Sequence, residues 1–93
     1  MAITVKFFAG FREATGKRQE SIEGVNNITS LLDELVRRFG EKLAEQLYSS
    51  NTRELRKTVN ILVNGRRLDF LQEFNTPLKD GDEVAIFPPV AGG

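Results

Sequence analysis

Between Ile28 and Phe39 the apolar residues Ile28, Leu31, Leu32, Leu35, Val36 and Phe39 recur at i, i+3, i+4, i+7, i+8 and i+11, one continuous stripe along a helix. A helix this short gains little from its own backbone in water, so the stripe has to be buried against something else. The flanking segments supply it, because there the period changes from 3.6 to 2. Ile3, Val5 and Phe7 alternate with Thr4, Lys6 and Phe8, while Val59, Ile61 and Val63, and later Val84 and Ile86, alternate in the same way. One amphipathic helix between strands that each carry one apolar face predicts an α+β domain, a sheet folded over one main helix with its other face open. Phe8, Leu62 and Phe87 are out of phase with the inward residues of their strands and fall on that open face.

Local signals set the boundaries. Asn27 is a good N-cap, Arg37 and Arg38 sit at the negative end of the helix dipole, and Gly40 suits a left-handed residue that ends the helix. Residues 9–17 read as a connection rich in Gly and charge, with Arg18 to Glu23 returning as the second strand of an N-terminal hairpin. Leu43 and Leu47, four apart, predict a second short helix over residues 41–48, followed by a polar, mobile loop over 49–57. Gly65 with Arg66 is expected to turn residues 58–64 into Arg67 and Leu68, residues 70–77 to form a short turn or a single helical turn, and Lys79 to Asp82 to turn into a last strand over 83–87. The predicted order is ββαββ with a helical and loop insertion near 41–57.

Composition removes most chemistry. The chain has 93 residues, enough for one domain. With no Cys and no His it has no thiol nucleophile, disulfide, thiolate metal site or imidazole base. Lys plus Arg and Asp plus Glu each number 13, so no broad field favours nucleic acid or an anionic membrane. The first residues lack the basic lead and apolar core of a secretory signal, and no apolar run approaches the ~20 residues of a membrane helix, which predicts a cytoplasmic protein. Arg12, Arg66 and Arg67 could steer an acidic partner or an AMP-bearing site, but they read first as solvated charge, as does a second cluster of Arg53, Arg56 and Lys57; Asp80 and Asp82 read as turn residues rather than metal ligands, and no metal site is expected.

The C-terminal residues are different. Pro88 and Pro89 lack amide protons and end the ladder of the last strand, so the chain must leave the sheet there. Val90, Ala91, Gly92 and Gly93 then make a thin, uncharged end that reaches ~15 Å beyond the fold. Gly is costly to order, so a terminal Gly-Gly is useful where no Cβ fits, such as a narrow channel in a partner. A free carboxylate is a poor acyl donor, whereas its mixed anhydride with AMP has a good leaving group and is open to attack by sulfur or an amine. The expected organisation is a domain over residues 1–88 and a flexible tail over 89–93.

The segment Val84-Ala85-Ile86-Phe87-Pro88-Pro89-Val90-Ala91-Gly92-Gly93, preceded by Asp80-Gly81-Asp82-Glu83, resembles the ubiquitin-like sulfur carriers, specifically the small subunit of molybdopterin synthase and its archaeal modifier relatives. Phe7-Phe8-Ala9, Arg12-Glu13, Gly16, Leu31, Leu32, Leu35 and Val63-Asn64-Gly65 extend the resemblance over nearly the whole chain. It implies a β-grasp fold with a mixed sheet, its first and last strands parallel at the centre. It also implies a cycle in which a ubiquitin-activating-type adenylating enzyme uses ATP to adenylate Gly93, and sulfur then converts it to a thiocarboxylate. Such a carrier inserts its tail into the molybdopterin synthase large subunit and donates sulfur to a pterin precursor for molybdenum or tungsten cofactor synthesis. It binds no cofactor and has no catalytic site of its own, acting as the sulfur-donating subunit of a sulfurtransferase complex. The alternative is a modifier conjugated through Gly93 to target-protein lysines. Gly92 is then the residue that fits the channel, and Phe8, Leu62, Phe87, Pro88, Pro89, Val90 and Ala91 are the expected partner contacts. Thiamine-pathway carriers share the fold but are usually shorter and lack the Phe-Pro-Pro-Val-Ala block, which ranks that role lower.

Overall fold

A computed structural model describes residues 2–48, 59–67 and 77–87. The alternating segments form strands β1 (Ala2–Phe7), β2 (Gln19–Glu23), β3 (Asn60–Val63), β4 (Arg66–Arg67) and β5 (Glu83–Phe87), in the order β2-β1-β5-β3-β4. β1 runs parallel to β5, and every other pairing is antiparallel, so the sheet is mixed with β5 at its centre. This is the β-grasp arrangement.

The helical stripe is α2 (Ile28–Phe39). Asn27 caps it, its Oδ1 accepting from the Ser30 backbone N–H at 2.8 Å while the Ser30 hydroxyl accepts from the Asn27 N–H at 3.2 Å. At the other end Glu34 accepts from both Arg37 and Arg38, which holds its carboxyl down to about 2. Ile28, Leu31, Leu32 and Leu35 pack under the inward residues Ile3, Val5, Phe7, Ile61, Val84 and Ile86, all of them buried. Phe7 meets Phe39 edge to face at 5.8 Å between ring centroids.

Four expectations need correction. Residues 9–17 are not a plain connection: α1 spans Gly10–Thr15 and buries Phe11 in the core. A six-residue helix shows too little periodicity to be seen, and one buried aromatic amid Arg12, Glu13 and Lys17 carries no stripe. Gly40 has positive φ but ψ −159°, outside the left-handed helical region, a conformation open to Gly and little else. It is a one-residue joint, because α3 (Glu41–Leu47) starts at once. α3 is the second short helix expected over residues 41–48, and its Leu43 and Leu47 are fully buried. The β3–β4 turn is centred on Asn64 and Gly65, both at positive φ, and not on Gly65 and Arg66, as the pairing of Val63 with Arg66 requires. The order ββαββ thus becomes β1-α1-β2-α2-α3-β3-β4-β5.

Residues 49–57, most of the predicted turn over 70–77 and the boundary between a domain over 1–88 and a tail over 89–93 lie outside the described residues. Among the described residues no helix is long and apolar enough to cross a membrane.

Phe11 is buried at the junction of α1 and the core, so Phe11→Ala leaves a cavity the surrounding helices only partly fill. The expected loss is about 3 kcal/mol or more of unfolding free energy, read by urea titration. A loss below about 1 kcal/mol would mean that α1 packs loosely on the domain.

Candidate functional site

Parallel pairing puts the C-terminal ends of β1 and β5 side by side, and β3, running the other way, begins at that same end. Phe8, one residue beyond β1, and Phe87, the last residue of β5, therefore meet. Their rings stack at 4.2 Å between centroids with 10° between planes. Both are half-buried, as is Leu62. The register carries the face further: Lys6 pairs with Ala85, Ala85 with Leu62, and Leu62 with Arg67, while Phe87 pairs with Asn60. Because alternation sends the even-numbered residues of β1 away from α2, this row lies on the sheet face opposite the helix. The three residues expected there, Phe8, Leu62 and Phe87, are thus brought onto one surface.

Ala85 was not singled out from the sequence, although its phase with Phe87 was readable. Its methyl group, between Lys6 and Leu62, extends the apolar strip from the stacked rings into the centre of the sheet. Lys6 reaches Glu83 at 3.3 Å on the same face.

Immediately after Phe8 the chain turns sharply. Ala9 has φ 49° and ψ −122°, strained for a residue with a Cβ, and the Phe11 N–H donates to the Phe8 carbonyl at 3.1 Å. This turn directs the chain off the sheet into α1, so that Phe8 stands at the sheet's end rather than continuing the strand.

The opposite end of β5 is clamped by the predicted turn residues. Asn64 Oδ1 accepts from the Glu83 N–H at 2.9 Å, and its Nδ2 donates to Asp82 Oδ1 at 3.0 Å. Asp82 Oδ2 accepts from the Lys79 N–H at 2.8 Å, and Asp80 Oδ1 accepts from the Ala2 N–H at 2.7 Å. The Lys79 amide, followed by the Asn64 side chain, holds the Asp82 carboxyl below its ordinary value of 3.8. Among the described residues no group of three or more His, Cys, Asp or Glu side chains is placed to hold a metal ion.

Pro88, Pro89, Val90, Ala91, Gly92 and Gly93 lie outside the described residues. What is described is their point of attachment, Phe87, locked between β1 and β3 and against Phe8. The site is therefore a rigid root with an apolar face beside it.

Arg12 lies exposed on α1, and Arg66 and Arg67 occupy successive positions of an edge strand, which alternation sends to opposite sides of the sheet. Arg53, Arg56 and Lys57 lie outside the described residues.

Three comparisons place this geometry among known proteins. The family model described as the ThiS family matches residues 5–93. Small archaeal modifier protein 3 of Haloferax volcanii is 36% identical over the whole of both chains. The molybdopterin synthase sulfur carrier subunit of Drosophila melanogaster is 32% identical, with 98% of this chain and 90% of that one covered. Among solved structures, the crystal structure of SAMP1 from Haloferax volcanii superposes with a TM-score of 0.84 at 28% identity, covering all of both chains. The complex of subunits 1 and 2 of the molybdopterin-converting factor from Helicobacter pylori contains a chain that matches with a TM-score of 0.65 at 29% identity, again over both chains in full.

Asp82 contributes through its ionised form. Its folded pKa is depressed, so its stabilisation is complete above the ordinary carboxylate value of 3.8 and is lost as pH falls through the lower folded value. At neutral pH, Asp82→Ala is expected to lower stability by about 1 kcal/mol. The gap to the unsubstituted protein should narrow as the solution is acidified below pH 3.8. Urea titrations across that range check it; a gap that is constant with pH would assign the loss to packing instead.

Proposed function

The chain belongs to the ThiS family of ubiquitin-like sulfur carriers, and on that premise we propose that the Gly93 carboxylate is its working group. The observation that carries the proposal is the seating of Phe87: the strand that leads into Pro88 to Gly93 is the central one, held on both edges, and the apolar face stands beside its end. A fixed root with a slender extension suits delivery of a terminal group into another protein's active site. The chain has no Cys or His with which to perform the chemistry itself.

In the proposed cycle the Gly93 carboxylate oxygen attacks the α-phosphorus of ATP on a separate adenylating enzyme, and pyrophosphate leaves. A hydrosulfide equivalent from a sulfur donor then attacks the acyl carbon, the bond to AMP breaks, and Gly93 ends in a thiocarboxylate. Gly92, without a Cβ, lets the acyl group enter a narrow channel. The nucleotide belongs to the enzyme and none is held by this chain. Phe8, Leu62 and Phe87 provide the apolar contact with the partner, continued by Pro88, Pro89, Val90 and Ala91.

The acceptor we propose is a pterin precursor on a molybdopterin synthase large subunit, supported by the likeness to molybdopterin synthase carriers and to the complexed Helicobacter subunit. The identity with small archaeal modifier protein 3 supports a second reading, in which a lysine amine of a target protein attacks the same acyl-adenylate and gives an amide. The two readings share the adenylation step and diverge at the acyl-adenylate.

Intact-mass measurement of protein from its native host, with fragmentation, is expected to show one oxygen replaced by sulfur at Gly93. Deleting Gly92 and Gly93 should abolish adenylation while leaving the melting temperature unchanged. Adenylation that survives the deletion would sink the assignment of Gly93. Conjugates that persist through denaturation and reduction, with Gly93 on a lysine in their fragments, would establish the modifier reading.

A further inference from the structure

The register separates two arginines that the sequence leaves equivalent. Arg66 is opposite Val63, whose side chain packs against the core, whereas Arg67 is opposite Leu62 on the open face. A row therefore runs straight across that face: Gln19, Lys6, Ala85, Leu62, Arg67. Lys6 and Arg67 stand three strand spacings apart, ~14 Å, with the apolar centre between them. The row beside it begins with the stacked Phe8 and Phe87. The acid of this strip, Glu83, is already engaged by Lys6 at 3.3 Å. Arg67 is exposed and makes no ion pair among the described residues. Among the described residues of these two rows, with Lys6 offset by Glu83, the unbalanced charge is Arg67.

We propose that Arg67 is the charge-selecting residue of this docking face, and that the occupant is the adenylating enzyme that activates Gly93, presenting an apolar surface with carboxylates opposite Arg67. The inference rests on the proposed function. Six residues follow Phe87, so an enzyme holding Gly93 in its active site must come within ~20 Å of Phe87, close enough to cover the adjoining face. The stacked rings and Leu62, half-buried around the buried Ala85, give the apolar contact. Arg67, at the rim and unpaired, discriminates by charge and speeds encounter with an acidic partner.

The test uses the full chain and the host's adenylating enzyme in ATP–pyrophosphate exchange. Arg67→Glu is expected to raise the KM for the carrier about tenfold or more with kcat unchanged, and Arg67→Lys to restore most of the difference. The KM of the unsubstituted chain should rise with salt more steeply than that of Arg67→Glu. Equal melting temperatures of the variants exclude a folding effect, which the exposure of Arg67 makes the expected result. An unchanged KM for Arg67→Glu, or a loss confined to kcat, would overturn the inference and leave the proposed function standing. Failure of the unsubstituted chain to be adenylated would overturn both.

Discussion

The burial of one helical stripe against one face of a five-stranded sheet organises this molecule. Ile28, Leu31, Leu32 and Leu35 consume the inward side of β1, β3 and β5, and α1 and α3 close the ends with Phe11, Leu43 and Leu47. A single layer of helices covers a sheet on one side only. No described helix covers the other side, where Phe8, Leu62 and Phe87 are left half in water while the small Ala85 among them is buried. Phe8, Leu62 and Phe87 are only half-buried because the same strands that bury Phe7, Ile61 and Ile86 must point their neighbours outward.

The parallel pairing of β1 with β5 links that packing to function. If the two strands were antiparallel, Phe8 would lie at the far end of β5 from Phe87 and the tail would leave from a bare edge. Parallel, they end together, and the stacked rings brace the point from which the tail departs. At the other end Asn64 and Asp82 tie the start of β5 to the β3–β4 turn. The central strand is therefore held at both ends.

Much of this was legible in the sequence because two of its signals are periodic. The stripe of α2 and the alternation of β1 and β5 gave the layers, and the N-cap at Asn27 was correct to the residue. Strand order was not legible, since alternation says which side a residue faces and nothing of which strand is its neighbour; that came from resemblance. α1 was missed because six residues span fewer than two turns, and Phe11 had only the small Ala14 at i+3 and the polar Thr15 at i+4. The Asn64-Gly65 turn was misplaced by one residue although the dipeptide is a strong hairpin signal, and that one residue decides which arginine faces outward. The outward placement of Phe8, Leu62 and Phe87 needed only the period of 2, and it holds. The tail signal lay wholly in composition: consecutive prolines followed by residues with almost no side chain.

That thinness has a consequence for recognition. Beyond Phe87 the chain offers two rigid rings, two small apolar side chains and two glycines, with no charge or side-chain hydrogen-bonding group before the terminal carboxylate. Such a segment fits a channel but carries little to distinguish one carrier from another, since a few methyl groups are worth only about 1–3 kcal/mol of discrimination each. Selectivity therefore has to come from the folded part nearest the tail. There the sheet supplies what the tail lacks: aromatic area with a fixed geometry for affinity, and a charged rim whose sign a partner can match or reject. On the proposed function, carriage and recognition are thereby divided between the two sides of Phe87, the reacting terminus beyond it and the folded address before it.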